Sequence, residues 1–260
     1  MLLENKNAII FGAGGAIGSA VARAFAREGA SVFLAGRTLP KLNAVANEIS
    51  AAGAVVEAAQ VNALDEEAVE IYLDSVIERV GAIDILFNSI GMEDIQGTLL
   101  VDMRLEDFMH PIITAVRTQF LTARAVGRRM IQKGSGVILT ITAGPPEAIA
   151  HIGGFGPACG AIEGLWRGFA AELGPRGVRV ICLRSAGSPD TPDVQQTFRV
   201  HAKVMGVPFE DFLAEVGSGA LLKRLPMSAE VANVAAMMAS NRASAMTGTF
   251  VSVTCGSRFD

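Results

Sequence analysis

Reactive side chains are scarce in this chain of 260 residues, which contains 3 cysteines, 3 histidines, 1 tyrosine and 1 tryptophan. Its cysteines, Cys159, Cys182 and Cys255, are odd in number and far apart, so they form neither a disulfide framework nor a metal-binding pattern. We therefore expect a reducing, cytoplasmic setting and no bound metal. Basic residues are not in excess either: the net charge is −4 and the pI is near 5.5, which argues against a nucleic-acid partner.

Long apolar runs are also absent, although 50% of the residues are hydrophobic. No uncharged apolar segment reaches the roughly 18 residues that a membrane-spanning helix needs. The first apolar segment begins near Asn7, is interrupted by glycines and has no basic region before it, so we expect no signal peptide. The sequence thus predicts neither a membrane association nor secretion.

Apolar strands alternate with amphipathic helices along the chain. Strands are predicted at 6–11, 31–36, 54–61, 83–91, 136–144, 178–184 and 249–253, and helices directly after 12–18 and at 39–53, 66–80 and 155–173, with a long helical region before 136. Strands that are apolar on both faces indicate a parallel sheet covered by helices on both sides. We predict an α/β fold, a doubly wound parallel sheet of about seven strands, formed by residues 1–260 as a single domain.

The segment 188–226 is the poorest fit to this alternation, because it inserts a polar-apolar helical pattern between two core strands. An excursion beyond the carboxyl end of a strand lies where a substrate would be covered. We interpret it as a helical substrate cover, and an ordinary surface insertion is the alternative.

A glycine-rich turn, "FGAGGAIG", follows the first strand and opens the first helix. Glycines allow the backbone to approach a pyrophosphate, and the start of a helix offers free N–H groups. The predicted dinucleotide-contacting residues of this turn are Gly12, Gly14, Gly15, Ala16, Ile17 and Gly18. The strand before the turn and the helix after it make this a strong dinucleotide-binding signal.

Gly36 and Arg37 end the second strand, where an acidic residue would hydrogen-bond the ribose of NAD(H) and repel a 2′-phosphate. Glycine leaves room there and arginine adds a positive charge. We therefore expect NADP(H) to be favoured over NAD(H). The alternative is that Arg37 is a solvated surface residue.

These features together resemble the short-chain dehydrogenase/reductase family over essentially the whole chain. Segments "EGLWRGFAAELGPRGVRV" and "MTGTFVSVTCG" are similar to its active-site helix and last strand, and "NSIG" to its Asn-Asn-Ala-Gly segment. The resemblance implies further cofactor contacts at Asn62, Ala63, Asn88, Ser89, Gly91, Gly187 and Thr191. It also implies a homotetramer assembled through the helices at 105–133 and 155–173, in which Trp166 and Phe169 either face a partner subunit or fill the core.

The family's catalytic residues are Asn, Ser, Tyr and Lys, and only one of the four keeps its chemistry here. Phe155 occupies the Tyr place, Cys159 the Lys place and Ala115 the Asn place, while Thr142 stands for Ser. The one tyrosine, Tyr72, is predicted in a helix far from the cleft. Phe cannot donate a proton and Cys cannot supply a fixed positive charge, so the family's carbonyl reduction by these residues is not expected.

Other groups could supply the proton, namely Thr142, His151, Glu147 and Glu93. His151 lies on the loop before the predicted active-site helix, and histidine is a common general acid, but it could equally be a solvated loop histidine. Cys159 could be a nucleophilic thiolate, although its apolar neighbours favour an inert buried thiol.

Three functions stay open from the sequence. One is an NADP(H)-dependent oxidoreductase with a non-standard proton source, acting on an apolar carbonyl or alcohol as its small-molecule substrate. Another is a cofactor-binding protein without redox turnover, which would serve as a sensor or partner subunit. The last is a non-redox enzyme, such as an isomerase or cyclase, that uses the same cleft.

Overall fold

The structure is a computed structural model that describes residues 1–143 and 149–257. The strands are β1 (Asn7–Phe11), β2 (Ser31–Gly36), β3 (Val56–Gln60), β4 (Ile85–Asn88), β5 (Gly136–Thr142), β6 (Val178–Ser185) and β7 (Thr249–Val253). The helices are α1 (Ala16–Arg27), α2 (Leu39–Ala51), α3 (Glu66–Val80), α4 (Leu105–Lys133), α5 (Phe155–Leu173), α6 (Pro192–Met205), α7 (Phe209–Gly219) and α8 (Ser228–Ala239).

All these strands belong to one parallel sheet of 7 strands, in the order β3-β2-β1-β4-β5-β6-β7. The predicted doubly wound α/β fold is therefore confirmed. The chain moves outward from β1 to β3 and then crosses to β4 on the other side of β1. The crevice beyond the carboxyl ends of β1 and β4 is the place where sheets of this kind bind ligands.

Each face of the sheet carries its own apolar core, because neighbouring residues of a strand point to opposite faces. In β1, Ile10 belongs to the cluster under α1, α2 and α8, whereas Ile9 belongs to the cluster under α3, α4 and α5. Trp166 and Phe169 belong to this second cluster and are 2% and 9% exposed. Both aromatic side chains thus pack within the core of their own chain.

Two glycines allow the beginning of α5 to approach α4 closely. A Cβ atom on Gly154 would lie 2.0 Å from the carbonyl oxygen of Phe108 on α4. A Cβ atom on Gly153 would lie 2.5 Å from the carbonyl oxygen of Ile95. The two glycines therefore fix the position of Phe155, the first residue of α5, relative to α4 and to the loop that contains Ile95.

The sequence predicted the helices more accurately than the strand ends. The predicted bounds 66–80 and 155–173 are those of α3 and α5, whereas the strand expected at 83–91 is confined to Ile85–Asn88. The side chain of Asp65 accepts a hydrogen bond from the Ala68 N–H and caps α3, which marks its start clearly. The segment 188–226 contains α6 and α7.

Candidate functional site

The turn between β1 and α1 lies directly against the end of β4. Gly12 has a left-handed φ of 78°, and a Cβ atom there would lie 2.4 Å from the carbonyl oxygen of Ser89. A Cβ atom on Gly18 would lie 2.3 Å from the carbonyl oxygen of Gly12. Any larger residue at either position would push the turn away from the crevice, so the glycines are required by close backbone contact.

The first turn of α1 presents unoccupied backbone donors to this crevice. Its N-cap is Gly15, which has no side chain to cap the helix, and no acidic residue lies in the first turn. The Ser19 N–H bonds the carbonyl of Gly15 at 2.9 Å, which leaves Ala16, Ile17 and Gly18 with N–H groups that lack intrahelical partners. Such a helix start favours a bound anion such as a phosphate. The turn therefore fits the pyrophosphate of a dinucleotide.

Arg37 follows β2 at the rim of the crevice and is already engaged by an acid. Its guanidinium donates a short hydrogen bond to the Glu93 carboxylate, which comes from the loop after β4. The second oxygen of Glu93 lies 3.8 Å from Nε2 of His110 on α4. Arg37 lowers the pKa of Glu93, mainly through this hydrogen bond. The basic residue expected at the ribose therefore has an intramolecular partner.

The two asparagines predicted near the cofactor differ in exposure. Asn62 is exposed after β3, where its side-chain oxygen accepts a hydrogen bond from the Leu64 N–H at 3.2 Å, and Ala63 follows it. Asn88 is buried and donates to the Thr122 hydroxyl at 2.6 Å. Asn62 thus lies where a ligand could reach it, whereas the Asn88 side chain ties β4 to α4.

The remaining predicted cofactor residues line the loops after β4 and β6. Ser89 donates to the carbonyl of Phe11 at 3.2 Å, and a Cβ atom on Gly91 would meet open space. Gly187 has a φ of 91°, and the Thr191 hydroxyl donates to the carbonyl of Ser188 at 2.8 Å. These loops lie at the same end of the sheet as the glycine turn, because each follows the carboxyl end of a parallel strand.

The predicted catalytic positions on α5 and α4 lie in apolar surroundings. Phe155 is half-buried at the start of the helix, and Cys159, one turn further on, is fully buried. Ala115 on α4 is 2% exposed and belongs to the same apolar cluster. The buried position of Cys159 agrees with the inert-thiol interpretation rather than the nucleophile.

Thr142, at the end of β5, is bound to a buried carboxylate. Its hydroxyl donates to Oε1 of Glu163 on α5 at 3.1 Å and lies 3.6 Å from the sulfur of Cys182. Arg184 on β6 donates to both Glu163 oxygens, at 2.9 and 2.7 Å. Burial raises the pKa of the Cys182 thiol to about 12, so that thiol stays protonated at neutral pH.

Glu163 and Arg184 were missed by the sequence reasoning, although each carried a signal. Glu163 is two turns beyond Phe155, on the face of α5 that the apolar pattern assigns to the core. Arg184 lies in β6, an otherwise apolar strand of a parallel sheet. A charged residue on a predicted buried surface is seldom left unpaired. A buried ion pair between Glu163 and Arg184 could therefore have been predicted from the sequence.

His151 is hydrogen-bonded to the loop after β4 and lies near His201 of α6. It has a left-handed φ of 65°, and its carbonyl accepts a hydrogen bond from the Gly97 N–H at 2.7 Å. Nearby, Nε2 of His201 on α6 lies 2.7 Å from Oε1 of Gln96. Burial, with a smaller effect of His151, lowers the pKa of His201. The two histidines and the loop after β4 therefore join α6 to the rim of the cleft.

Other candidates are remote or lie outside the described residues. Glu147 lies outside them, and Tyr72 is buried on α3, where burial raises its pKa. Two surface cavities of about 360 and 400 Å³ lie away from the crevice, one against Tyr72 and the other against Cys255. Within residues 1–143 and 149–257, no helix is long and apolar enough to cross a membrane. Over the same ranges, no group of three or more His, Cys, Asp or Glu side chains is arranged to hold a metal ion.

Sheet order, glycine turn and open helix start define a Rossmann-type α/β protein with its site at the β1/β4 crevice. Residues 12–258 match the family model described as Enoyl-(Acyl carrier protein) reductase. The chain belongs to the short-chain dehydrogenase/reductase family.

Individual relatives cover almost the full chain. It is 29% identical to the 7alpha-hydroxysteroid dehydrogenase of Escherichia coli (strain K12), over 98% of this chain and 94% of that one. Its structure is similar to that of an NAD+-bound xylitol dehydrogenase, with a TM-score of 0.93, 24% identity and coverage of 98% and 100%. It is also similar to a variant of actinorhodin polyketide ketoreductase with NADPH, with a TM-score of 0.89, 22% identity and 96% coverage of both chains.

Proposed function

We propose that the protein is an oxidoreductase that binds NADP(H) in preference to NAD(H) and acts on an apolar carbonyl or alcohol. The close backbone contact of the turn at Gly12 and Gly18 carries this proposal, because only glycines permit it and it leaves the start of α1 open to an anion. Membership of a dehydrogenase/reductase family supports the class of reaction. A related hydroxysteroid dehydrogenase supports an apolar substrate.

The residues of the crevice fit the parts of a nicotinamide dinucleotide. The pyrophosphate would lie on the N–H groups of α1, the 2′-phosphate beside Arg37 and the adenine beside Asn62 and Ala63. The nicotinamide half would lie by the loops at 88–91 and 187–191. When bound, the nicotinamide supplies or accepts a hydride, and the protein supplies position and proton transfer.

The proton route would differ from the family's. Phe155, Cys159 and Ala115 stand in the places of the family's Tyr, Lys and Asn. Phe155 and Ala115 have no proton to donate, and Cys159 is fully buried and cannot supply the fixed positive charge of a lysine. Thr142 directs its hydroxyl proton to Glu163, so it is not poised to donate to a substrate in this arrangement. His151, at the rim beside α6, is the expected donor.

A second candidate is a cofactor-binding protein without redox turnover. The bond from Thr142 to Glu163 favours it, because the one retained polar group of the family's active site is engaged within the protein. Both candidate functions require cofactor binding at the glycine turn. A measurement of cofactor turnover therefore distinguishes them, whereas a measurement of cofactor binding does not.

The assembly and the cover are further proposals. Ile113 and Phe120 on α4 are 56% and 39% exposed, which supports a homotetramer with α4 at a subunit interface. The segment 188–226 would cover the substrate, because α6 packs on the loop after β4: a Cβ atom on Gly97 would lie 2.6 Å from Val200. The whole chain would then work as a single domain.

Cofactor titration followed by a substrate screen tests this function. The purified protein is titrated with NADPH and with NADH, and NADPH oxidation is then measured with a panel of apolar ketones. We expect NADPH to bind several-fold more tightly and simple ketones to react slowly, and Arg37→Ala to abolish the preference. Equal affinities for the two cofactors would refute the preference. Fast turnover unaffected by changing both Thr142 and His151 would show that the proton comes from elsewhere.

A further inference from the structure

Glu93 is an acidic residue bound to Arg37, the predicted contact of the 2′-phosphate, and it does not come from the end of β2, where an acidic residue would contact the ribose. It lies in the loop after β4, 56 residues from Arg37 in sequence, yet their side chains form an ion pair. The family resemblance predicts selectivity from the end of β2 alone. In the structure, the Glu93 carboxylate from the loop after β4 also lies beside Arg37.

The backbone of Glu93 is held in an unusual conformation. Its φ of 54° is left-handed, a backbone conformation that is unfavourable for a residue other than glycine. The carboxylate lies between two cationic or potentially cationic partners, Arg37 and, at 3.8 Å, Nε2 of His110. A strained residue persists where its surroundings fix it, and such residues cluster at ligand-binding segments.

We propose that Glu93 is a cofactor-selectivity residue whose carboxylate competes with the 2′-phosphate of NADP(H) for Arg37. This inference rests on the proposed function, since it requires a nicotinamide dinucleotide in the crevice. A 2′-phosphate that binds Arg37 must displace Glu93 or lie beside its negative charge. NAD(H), which has a hydroxyl at that position, meets no such repulsion and can donate to the carboxylate.

The size of the effect on cofactor affinity depends on how far the Arg37 and Glu93 side chains are exposed to solvent. The side chains of Arg37 and Glu93 are 62% and 54% exposed, so their attraction is screened by solvent and by salt. Exposed pairs of this kind correspond to about a two- to five-fold change in an equilibrium constant. Glu93 therefore moderates the preference for NADP(H) and does not abolish it.

Equilibrium binding tests this directly with NADPH and NADH as probes. Trp166 is the one tryptophan of the chain, so quenching of its emission gives a dissociation constant without catalysis. In Glu93→Gln, which removes the charge and keeps the shape, we expect NADPH to bind about two- to five-fold more tightly, with NADH unchanged or weaker. The gain should shrink at about 1 M salt, where the Debye length is about 3 Å.

Two further variants test whether the change in cofactor preference comes from the charge of Glu93 itself. Glu106→Gln removes the same charge from another exposed ion pair, with Arg104, and should leave the NADPH-to-NADH ratio at the wild-type value. Glu93→Gly keeps the left-handed backbone favourable and should reproduce the gain. An unchanged ratio in both Glu93 variants, with both nucleotides bound, would overturn this inference alone. Binding of neither nucleotide to the wild-type protein would overturn the proposed function and this inference together.

Discussion

Glu163 and Arg184 form a two-point ion pair between α5 and the carboxyl end of β6. The Arg184 Nε atom lies 2.9 Å from Oε1 and Nη2 lies 2.7 Å from Oε2. Glu163 is 2% exposed and Arg184 15%, so both charges are largely withdrawn from water. The pair joins α5 to the carboxyl end of β6, and the ring of Phe250 lies 4.5 Å from the guanidinium carbon. This ion pair thus stabilises the end of the sheet that lies nearest to the cleft.

Breaking this pair should destabilise the protein. In Glu163→Gln the buried guanidinium keeps its charge and loses the carboxylate, which typically costs about 3–5 kcal/mol. For a chain of this size the thermal midpoint should fall by on the order of 10 °C, as measured by circular dichroism. Replacing both residues by Leu should recover part of the loss, because the guanidinium is removed together with the carboxylate. A wild-type midpoint in Glu163→Gln would contradict the assigned role.

Gly12→Ala should damage both stability and cofactor binding. Gly12 and Gly134 have similar left-handed φ angles, 78° and 74°, but a Cβ atom on Gly134 would meet nothing within 4 Å. Both substitutions carry the backbone penalty, and only Gly12→Ala adds the clash with the Ser89 carbonyl. NADPH titration should show binding lost in Gly12→Ala and retained in Gly134→Ala. Equal behaviour of the two variants would mean that contact with β4 is not what the turn requires.

Acid should weaken the attachment of α6. Burial and His151 hold the pKa of His201 below its ordinary 6.5, so the unfolded chain binds more protons than the folded chain between the two pKa values. The free energy of unfolding should therefore rise with pH across that window and fall as the pH is lowered from 6.5. His201→Gln should flatten this slope in urea unfolding measured at several pH values. A slope that persists in the variant would assign it to another group.

Restoring the family's residues should not restore activity. Cys159 is fully buried, and the nearest carboxylate along α5, that of Glu163 one turn away, is already bound to Arg184 and Thr142. A lysine at 159 would be a buried ammonium for which the described part of α5 offers no vacant carboxylate nearby, at a cost of several kcal/mol. Phe155→Tyr alone should be tolerated because Phe155 is only half-buried. A stable Phe155→Tyr/Cys159→Lys protein that oxidises NADPH with simple ketones would instead indicate simple loss of catalytic groups.

The sheet and its order could be predicted because their causes are local. Strands that are apolar on both faces and separated by helices permit few arrangements besides a doubly wound parallel sheet. The sequence also predicted the bounds of α5, because its apolar spacing begins after two glycines and ends before "GPRG". Trp166 could not be assigned from the sequence, since core and interface both favour a large aromatic side chain.

The Arg37–Glu93 pair and the Thr142–Glu163 bond could not be predicted from the local sequence pattern. Arg37 and Glu93 lie on loops after different strands, and they meet only because β1 lies between β2 and β4 in the sheet. Thr142 was singled out from the sequence as a candidate site residue, but the direction of its hydroxyl depends on Glu163, 21 residues later. Such partners follow from the complete topology and not from spacing along the chain.

The crossing of the chain from β3 to β4 also has a consequence for synthesis on the ribosome. The strands β1, β2 and β3 have been synthesised once Gln60 is added. One edge of β1 then stays unpaired until β4 is complete at Asn88. One edge of β4 in turn stays unpaired until β5 is complete at Thr142. At roughly 5–20 residues per second, the roughly 50 residues between those last two points take on the order of 3–10 s. During that interval Leu86 and Phe87 would belong to a strand with an unpaired edge, so we expect the nascent chain to be exposed to misassociation while α4 is being made.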